Sequence, residues 1–329
     1  MDPTRDLGAI ADLMTEAFAD ELDERGRAAL REMRWMARLS PLVWWWAQAD
    51  PTFRDTFSGF VWEEPSPSGK EPFPRGKGGP IVGNVSLNRT PGSRRHWIIC
   101  NVVVHEAYRG RGIGRLLTEA AIAEARDLGA LGVLIQVHQD NPPALRLYTG
   151  LGCQEAAGET NLRLAAIGPV RLLEAPGYQI RAWQPADGQA AYELAQLVTS
   201  PVQRWIRPVK PDTYRLGGWR RWSQQITNLI RGRRVYRFVA SKTDQPMAMM
   251  TVTAAFRQGE HQLELLIHPD HADQVAGALI SRALNMLAAI PPRPVQITVN
   301  KAHAAALNAL GKVGFEEKRT LLTLRKDFR

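Results

Sequence analysis

Two stretches of this chain align residue for residue without a gap: NPPALRLYTGLGCQE at 141–155 and HAAALNALGKVGFEE at 303–317. Ala144 and Leu145 fall on Ala306 and Leu307, Gly152 on Gly314, and Glu155 on Glu317. Upstream of each, HEAYRGRGIGRL (105–116) lies over HPDHADQVAGAL (268–279). An internal repeat restricts the fold more than any local pattern, because one unit of ~150 residues must fold twice. The 329 residues suffice for two such domains, each with its own core. The division expected is 1–168 and 169–329, around the linker-like AAIGPVRLLEAPG (165–177).

The element types alternate in both halves. In the first, AIADLMTEAFADEL and RAALREMRWMARL have helical spacing, while FSGFVWEE and IVGNVSLNR have strand character. The Pro/Gly-rich EPSPSGKEPFPRGKGGP between those strands predicts a long loop. HWIICNVVV (96–104) is expected as a buried strand. The helix after YRGRG places Ile113, Leu116, Leu117 and Ala120 on one face and stops at Gly129. GVLIQVH predicts a further strand, and DNPPALRLYTGLG a short helix capped by Asp140 or Asn141 with prolines in its first turn. The second half repeats the order with strands at YQIRAW, RVYRFVAS, PMAMMTVTAAF, QLELLIHP and PVQITVN, and a last strand at TLLTLRKDF. It opens on a strand whose counterpart in the first half is missing, supplied from elsewhere or lost to a late start, since MDPTRDLG matches the turn that follows such a strand. An α+β fold is therefore expected, in two tandem copies, each a mixed, mostly antiparallel twisted sheet flanked by helices.

Composition excludes several classes. Apolar content of 44% and charged content of 23% suit an ordinary soluble globular protein. With no long apolar run and no basic start before an apolar core, neither a membrane span nor a signal peptide is expected, and the default compartment is the cytoplasm. Cys100 and Cys153 are the only cysteines, so neither a disulfide framework nor a cysteine zinc site is expected, and no metal is called for. The formal net charge of +9 is local: residues 204–237 hold ten Lys/Arg against Asp212 alone, and the remaining chain is balanced. That stretch also carries Trp205, Trp219 and Trp222. Arginines beside tryptophans fit an acidic acceptor, a nucleic-acid backbone, a membrane surface, or amphipathic helices with tryptophans inward and arginines solvated.

Chemistry concentrates between residues 102 and 148. A strand running into Arg109-Gly-Arg-Gly-Ile-Gly114-Arg115 and then a helix can hold an anion. Glycines let the backbone approach closely, and the first helical turn presents free N–H groups. Arg109, Arg111 and Arg115 add positive charge. The stretch VVVHEAYRGRGIGRLLTEAA, followed after one strand by NPPALRLYTGLG, resembles the GNAT superfamily of acyl-CoA-dependent N-acyltransferases. Arg109, Gly112 and Gly114 match its R/Q-x-x-G-x-G/A signature. Asn141, Ala144, Leu147, Tyr148 and Gly152 match its Asn-x-x-Ala-x-x-Leu-Tyr-x-x-x-Gly pattern.

The resemblance implies an acetyltransferase in which Val102, Val103 and Val104 contact the acyl-pantetheine arm of acetyl-CoA through backbone groups. Arg109, Gly110, Arg111, Gly112, Ile113, Gly114 and Arg115 would hold the pyrophosphate, with Asn141 near the pantetheine. Tyr148 would protonate the departing thiolate, a role open to a phenol within hydrogen-bond reach. The acceptor implied is a small-molecule or peptide amine, and the protein a monomer or homodimer. Glu106 and Cys153 depart from the family's usual proline and phenylalanine. Where the family's strand glutamate would lie, near Ile98, there is no carboxylate, so His96 and His138 are the candidate bases, with water or simple proximity as the alternative to a dedicated base. Strand alternation puts His96, Ile98, Cys100, Val102 and Val104 on one face.

In the repeat, Ala272, Gln274 and Val275 stand where Arg109, Arg111 and Gly112 stand, Gly277 keeps Gly114, and Leu310 replaces Tyr148. Both anion grip and acid are removed, so the second half is expected to be a degenerate, structural or substrate-shaping copy. Readings from other classes are a non-catalytic acyl-CoA-binding regulatory module and a basic nucleic-acid-binding protein on the same fold.

Overall fold

The computed structural model describes residues 2, 5–18, 24–38, 58–64, 79–215, 226–228, 230, 232–243 and 245–328. Outside them lie most of the long Pro/Gly loop, the PLVWWWAQADP stretch, and Arg220, Arg221, Trp219 and Trp222 of the basic region. Along the chain run α1 (Leu7–Ala17), α2 (Glu24–Arg38), β1 (Gly59–Glu63), β2 (Ile81–Arg89), β3 (His96–Val104), α3 (Ile113–Asp127), β4 (Gly132–His138), α4 (Pro142–Gly150) and β5 (Gln154–Leu164). Next come β6 (Gln179–Ala182), α5 (Gly188–Val198), α6 (Pro201–Ile206), α7 (Pro211–Tyr214), β7 (Arg233–Lys242), β8 (Gln245–Ala255) and β9 (His261–Ile267). The last are α8 (Ala272–Ala288), β10 (Val295–Asn300), α9 (Ala304–Lys312) and β11 (Glu316–Asp327). No helix among the described residues is long and apolar enough to cross a membrane.

Two compact units form, and they interleave along the chain. The first comprises Met1–Gln136, Pro143–Gln154 and Leu324–Arg329; the second comprises Val137–Pro142 and Glu155–Thr323. A cut at residue 168 separates the two sequence repeats, whereas the compact units place β5 in the second unit and the end of β11 in the first.

In the first unit the strand order is β1-β2-β3-β4, followed by the end of β11. β1, β2 and β3 are antiparallel neighbours, and β3 runs parallel to β4. α1 buries Leu7, Ile10, Ala11 and Met14, the i, i+3, i+4, i+7 stripe of an amphipathic helix. With Leu30 of α2 and Val103 of β3, part of that stripe forms one small core. α3 covers the other face of the sheet. A Cβ built on Gly83 would stand 3.0 Å from Leu117 Cδ1 and 3.2 Å from Ile113 Cγ2, so the glycine sets how close α3 comes. The buried stripe of α3 is Ile113, Leu117, Thr118, Ala121, Ile122 and Ala125. Leu116, expected on that face, is 49% exposed, because the i, i+4 row through Ile113, Leu117 and Ala121 turns it outward. The helix ends as expected at Gly129, with φ +75°. There the Gly129 and Ala130 N–H groups close on the Arg126 and Ala125 carbonyls.

In the second unit the order is β11-β5-β10-β9-β8-β7-β6. As in the first unit, antiparallel pairs are followed by a parallel one, β9 with β10. Its core joins Met250, Val252 and Ala254 of β8 to Leu263 and Ile267 of β9 and to Val275, Leu279 and Leu284 of α8, with Leu162 and Leu164 contributed by β5. β6 precedes α5 in this unit, while no strand precedes α1 among the described residues of the first.

Candidate active site

The turn between β3 and α3 has the shape an anion needs. Gly110 and Gly112 have φ of +78° and +79°, where L-residues are strained. No atom lies within 4 Å of a Cβ built on either, so the space beside them is open. Gly112 is the N-cap of α3; its carbonyl accepts the Arg115 and Leu116 N–H groups at 3.0 and 3.1 Å. The N–H groups of the residues before Arg115 have no intrahelical acceptor, and no acid stands in the first turn to fill it. Gly114 completes the close approach, its built Cβ 3.7 Å from Val104 Cγ2.

The three arginines of this turn are already engaged. Arg109 Nε donates to the Val104 carbonyl at 3.1 Å, and an Arg111 guanidinium N–H donates to the Ala107 carbonyl at 3.1 Å. Arg111 also lies over the Tyr108 ring, 4.8 Å from its centroid. Arg115 pairs with Glu119 at 2.9 Å one turn along the helix. These bonds fix the turn's backbone, so the backbone N–H groups form the cradle and the guanidinium charge surrounds it.

β3 itself is irregular. It pairs with β4 only from His96 to Ile99, against Gly132 to Ile135, after which the two strands separate. On its other edge the register with β2 shifts: Cys100 faces Ser86 and Val103 faces Asn84, so two residues oppose Val85 alone. This is a β-bulge, with Asn101 at φ +53°. The bulge overturns the expected alternation. Val103 shares the face of Ile98 and Cys100, while Val104 pairs with Gly83 on the opposite face, toward α3. The backbone of Val102–Val104 therefore lies past the point where its pairing with β4 ends.

Tyr148 is the one buried residue of α4, 5% exposed. Burial and the neighbouring Cys153 push its hydroxyl up to about 12. It is therefore a protonated phenol throughout the neutral range and can donate a proton or a hydrogen bond. Gly152, at φ +82°, ends α4, and the Cys153 N–H returns to the Tyr148 carbonyl at 3.0 Å. Asn141 is exposed and immediately precedes α4, its N–H bonded to the His138 carbonyl at 3.1 Å. His138 ends β4.

His96 is placed differently from its expected role. It begins β3, six residues before Val102, which is ~20 Å of extended strand. Its Nδ1 is 2.8 Å from Ser93 Oγ in the turn that enters the strand. Burial, with Arg325 nearby, lowers its pKa. It belongs to the hairpin and stands far from Val102–Val104. Cys100 accepts from Asn88 Nδ2 at 3.5 Å, and burial pushes its thiol up to about 11, which makes it an inert thiol.

The model of the acetyltransferase (GNAT) family matches residues 11–153. Those residues form a GNAT-family domain. A mycothiol acetyltransferase from Parafrankia sp. (strain EAN1pec) is 32% identical over 165 residues, covering 46% of this chain and 44% of that protein. A mycothiol acetyltransferase from Thermobispora bispora is 34% identical over 92 residues, 28% of this chain and 30% of its own length. The chain thus spans less than half the length of these curated relatives. A GCN5-related N-acetyltransferase structure from Sphaerobacter thermophilus superposes with a TM-score of 0.58 at 17% identity, over 98% of this chain and 93% of that one. The likeness in fold extends through both units.

Against the GNAT domain, the second unit differs at the corresponding places. His268 Nδ1 caps a short turn by accepting from Asp270 N–H at 3.3 Å, as His105 Nδ1 accepts from Ala107 N–H at 3.3 Å. The chains then part. α8 begins at Ala272, where Arg109 stands, so the positions of the glycine loop are helix, and Val275 is fully buried. Asp273 sits in the first turn, and Tyr178 OH lies 2.7 Å from the cap residue His271. An anion finds a carboxylate there instead of a cradle. Leu310, at the place of Tyr148, is fully buried, and the same helix end follows: Gly314 at φ +89°, with Phe315 N–H on the Leu310 carbonyl at 3.1 Å.

The sequence singled out the glycine turn, Asn141 and Tyr148. It missed the bulge, whose traces are Asn101 before three valines and the polar alternation Asn84, Ser86, Asn88 in an otherwise apolar strand.

Proposed function

We propose that the GNAT domain binds acetyl-CoA once per chain and transfers its acetyl group to an amine. The open N-terminus of α3, with Gly110 and Gly112 both at positive φ, carries this reading, since it fits a pyrophosphate and is absent from the second unit. Arg109, Arg111 and Arg115 supply the surrounding positive charge, and the Val102–Val104 backbone, beyond the pairing with β4, takes the acyl-pantetheine arm. The amine nitrogen attacks the thioester carbonyl carbon, the C–S bond breaks, and the thiolate leaves. Tyr148 donates to that sulfur, while the amine gives up its proton to a base. A phenol held at about 12 suits the first task and is excluded from the second. His138, beside Asn141 in the chain, is the proposed base in preference to His96. The mycothiol acetyltransferases among the relatives favour a small-molecule acceptor.

The test is titration calorimetry with CoA and acetyl-CoA, followed by thiol release from acetyl-CoA across a panel of amines. One CoA site per chain and amine-dependent thiol release are expected. Two sites per chain, or binding without release for any amine, would sink the reading; the latter favours a regulatory acyl-CoA-binding module.

A further inference from the structure

Asn84 is fully buried on β2, and its amide is used on one side only. Nδ2 donates to the Asn101 carbonyl at 3.0 Å, while Oδ1 is buried without a hydrogen-bond partner. A strand interior normally excludes such an orphan acceptor, so its presence needs a local reason. Val61 and Val103 face it across the flanking strands, in a layer otherwise packed by α1. An apolar side chain there would remove the unpaired oxygen and suit the neighbours better.

What Asn84 holds is the bulge. Asn101 sits at φ +53°, a region side chains other than glycine seldom occupy. Two amides grip it: Asn84 Nδ2 takes its carbonyl, and its own Nδ2 donates to Ser86 Oγ at 3.2 Å. The second unit provides an internal comparison. There β8 and β9 pair without a register shift, from Thr253 opposite Gln262 to Ala248 opposite Ile267. Aligning the two histidine caps puts Met249, paired with Leu266, at the place of Asn84, paired with Val103. The unit that lost the glycine turn and the tyrosine also has no bulge and no asparagine at this place.

We propose that Asn84 is a positioning residue for the acyl-CoA arm: its amide holds the Asn101 bulge that sets the direction of the Val102–Val104 backbone. The proposal rests on the acyl-CoA reading above. Asn84 acts through Asn101 and touches no reacting atom.

The test is acetyl-CoA affinity by calorimetry, with a thermal melt of each protein, for the wild type, Asn84→Ala, Asn101→Gly and the double variant. Loss of one buried hydrogen bond that orients the arm should weaken acetyl-CoA about tenfold in Asn84→Ala. Glycine at 101 adopts positive φ unaided, so the double variant should return to within about twofold of Asn101→Gly alone. A residue serving only general stability would lower the melting temperature without this rescue. If Asn84→Ala fails to fold, Asn84→Thr, which suits a strand and cannot reach the Asn101 carbonyl, carries the same expectations. Wild-type affinity in a folded Asn84 variant, or a loss that glycine at 101 leaves intact, overturns the proposal. A wild-type protein that takes no acetyl-CoA overturns the acyl-CoA reading itself, and this inference with it.

Discussion

Replacing Gly112 by alanine isolates the backbone contribution to the anion cradle. The built Cβ meets nothing within 4 Å, so the substitution introduces no clash and its cost is conformational. Holding an L-residue at φ +79° costs about 1–2 kcal/mol. Because the space around the turn is open, the free protein can relax φ, and the penalty then falls on binding, which must restore the cradle. At 1.4 kcal/mol per tenfold, CoA affinity should drop about 5- to 30-fold. Gly129→Ala is the matched control: it sits at φ +75°, also with nothing within 4 Å, at the other end of the same helix. There the Gly129 and Ala130 N–H groups are locked to Arg126 and Ala125, so the penalty should appear as lost stability with CoA affinity unchanged. A loss near 1–2 kcal/mol would lower the melting temperature by ~2–8 °C in a unit of this size. Titration calorimetry and thermal melts on the three proteins decide the matter. CoA bound by Gly112→Ala within twofold of wild type would refute the reasoning, as would an equal loss in Gly129→Ala.

Tyr148→Phe should lower the transfer rate by ~10²–10⁴-fold with acetyl-CoA affinity nearly unchanged, since the ring stays and only the proton donor goes; wild-type turnover with chemistry rate-limiting would make Tyr148 a packing residue. Because burial raises its hydroxyl to about 12, the wild-type rate should show no alkaline loss near pH 10 from this group, and a pH profile to 10.5 checks it. The sign for stability follows: the folded phenol stays protonated while the unfolded one ionises near 10, so stability is lost as pH rises from about 10 to 12, and Tyr148→Phe should blunt that loss. His96, buried and lowered, works oppositely: its contribution is present above about 6.5 and lost as pH falls below that. His96→Gln should flatten the acid limb of a stability profile and leave turnover at neutral pH intact; a tenfold fall in turnover would return His96 to the chemistry. In the second unit, Val275→Gly should fail to create a CoA site, because α8 already runs through that position and Asp273 occupies the first turn; a second calorimetric site would contradict this.

Most of the site was legible because its chemistry is written in residue types that have few other uses. Glycine at 110 and 112 announces positive φ, and the φ values bear that out. Tyr148 stood out because its partner in the repeat is leucine. β5 was harder. QEAAGETNLRL opens with polar and small residues, and its buried Thr160, Leu162 and Leu164 emerge only once β10 lies alongside. The interleaving of the compact units was invisible for the same reason: which strand completes which sheet depends on long-range pairing that no local period encodes. The face assignment in β3 failed at one residue. An alternation of period two assumes no bulge, and a single left-handed asparagine moves every later side chain to the other face.

The second unit argues that these features act together. It keeps what folding requires: the histidine cap, the glycine-ended helix, the parallel strand after a run of antiparallel ones. It lacks what only a ligand requires, namely the positive-φ turn, the bulge with its buried asparagine, and the phenol. A glycine at positive φ and an orphaned amide oxygen both cost stability, so a copy with no ligand to hold gains by losing them. Val275 fully buried in a regular helix and Met249 in an unbroken strand are what such a copy should contain. On the proposed reading, the strained features of the first unit are its functional ones, and the repeat separates the two kinds of residue within a single chain.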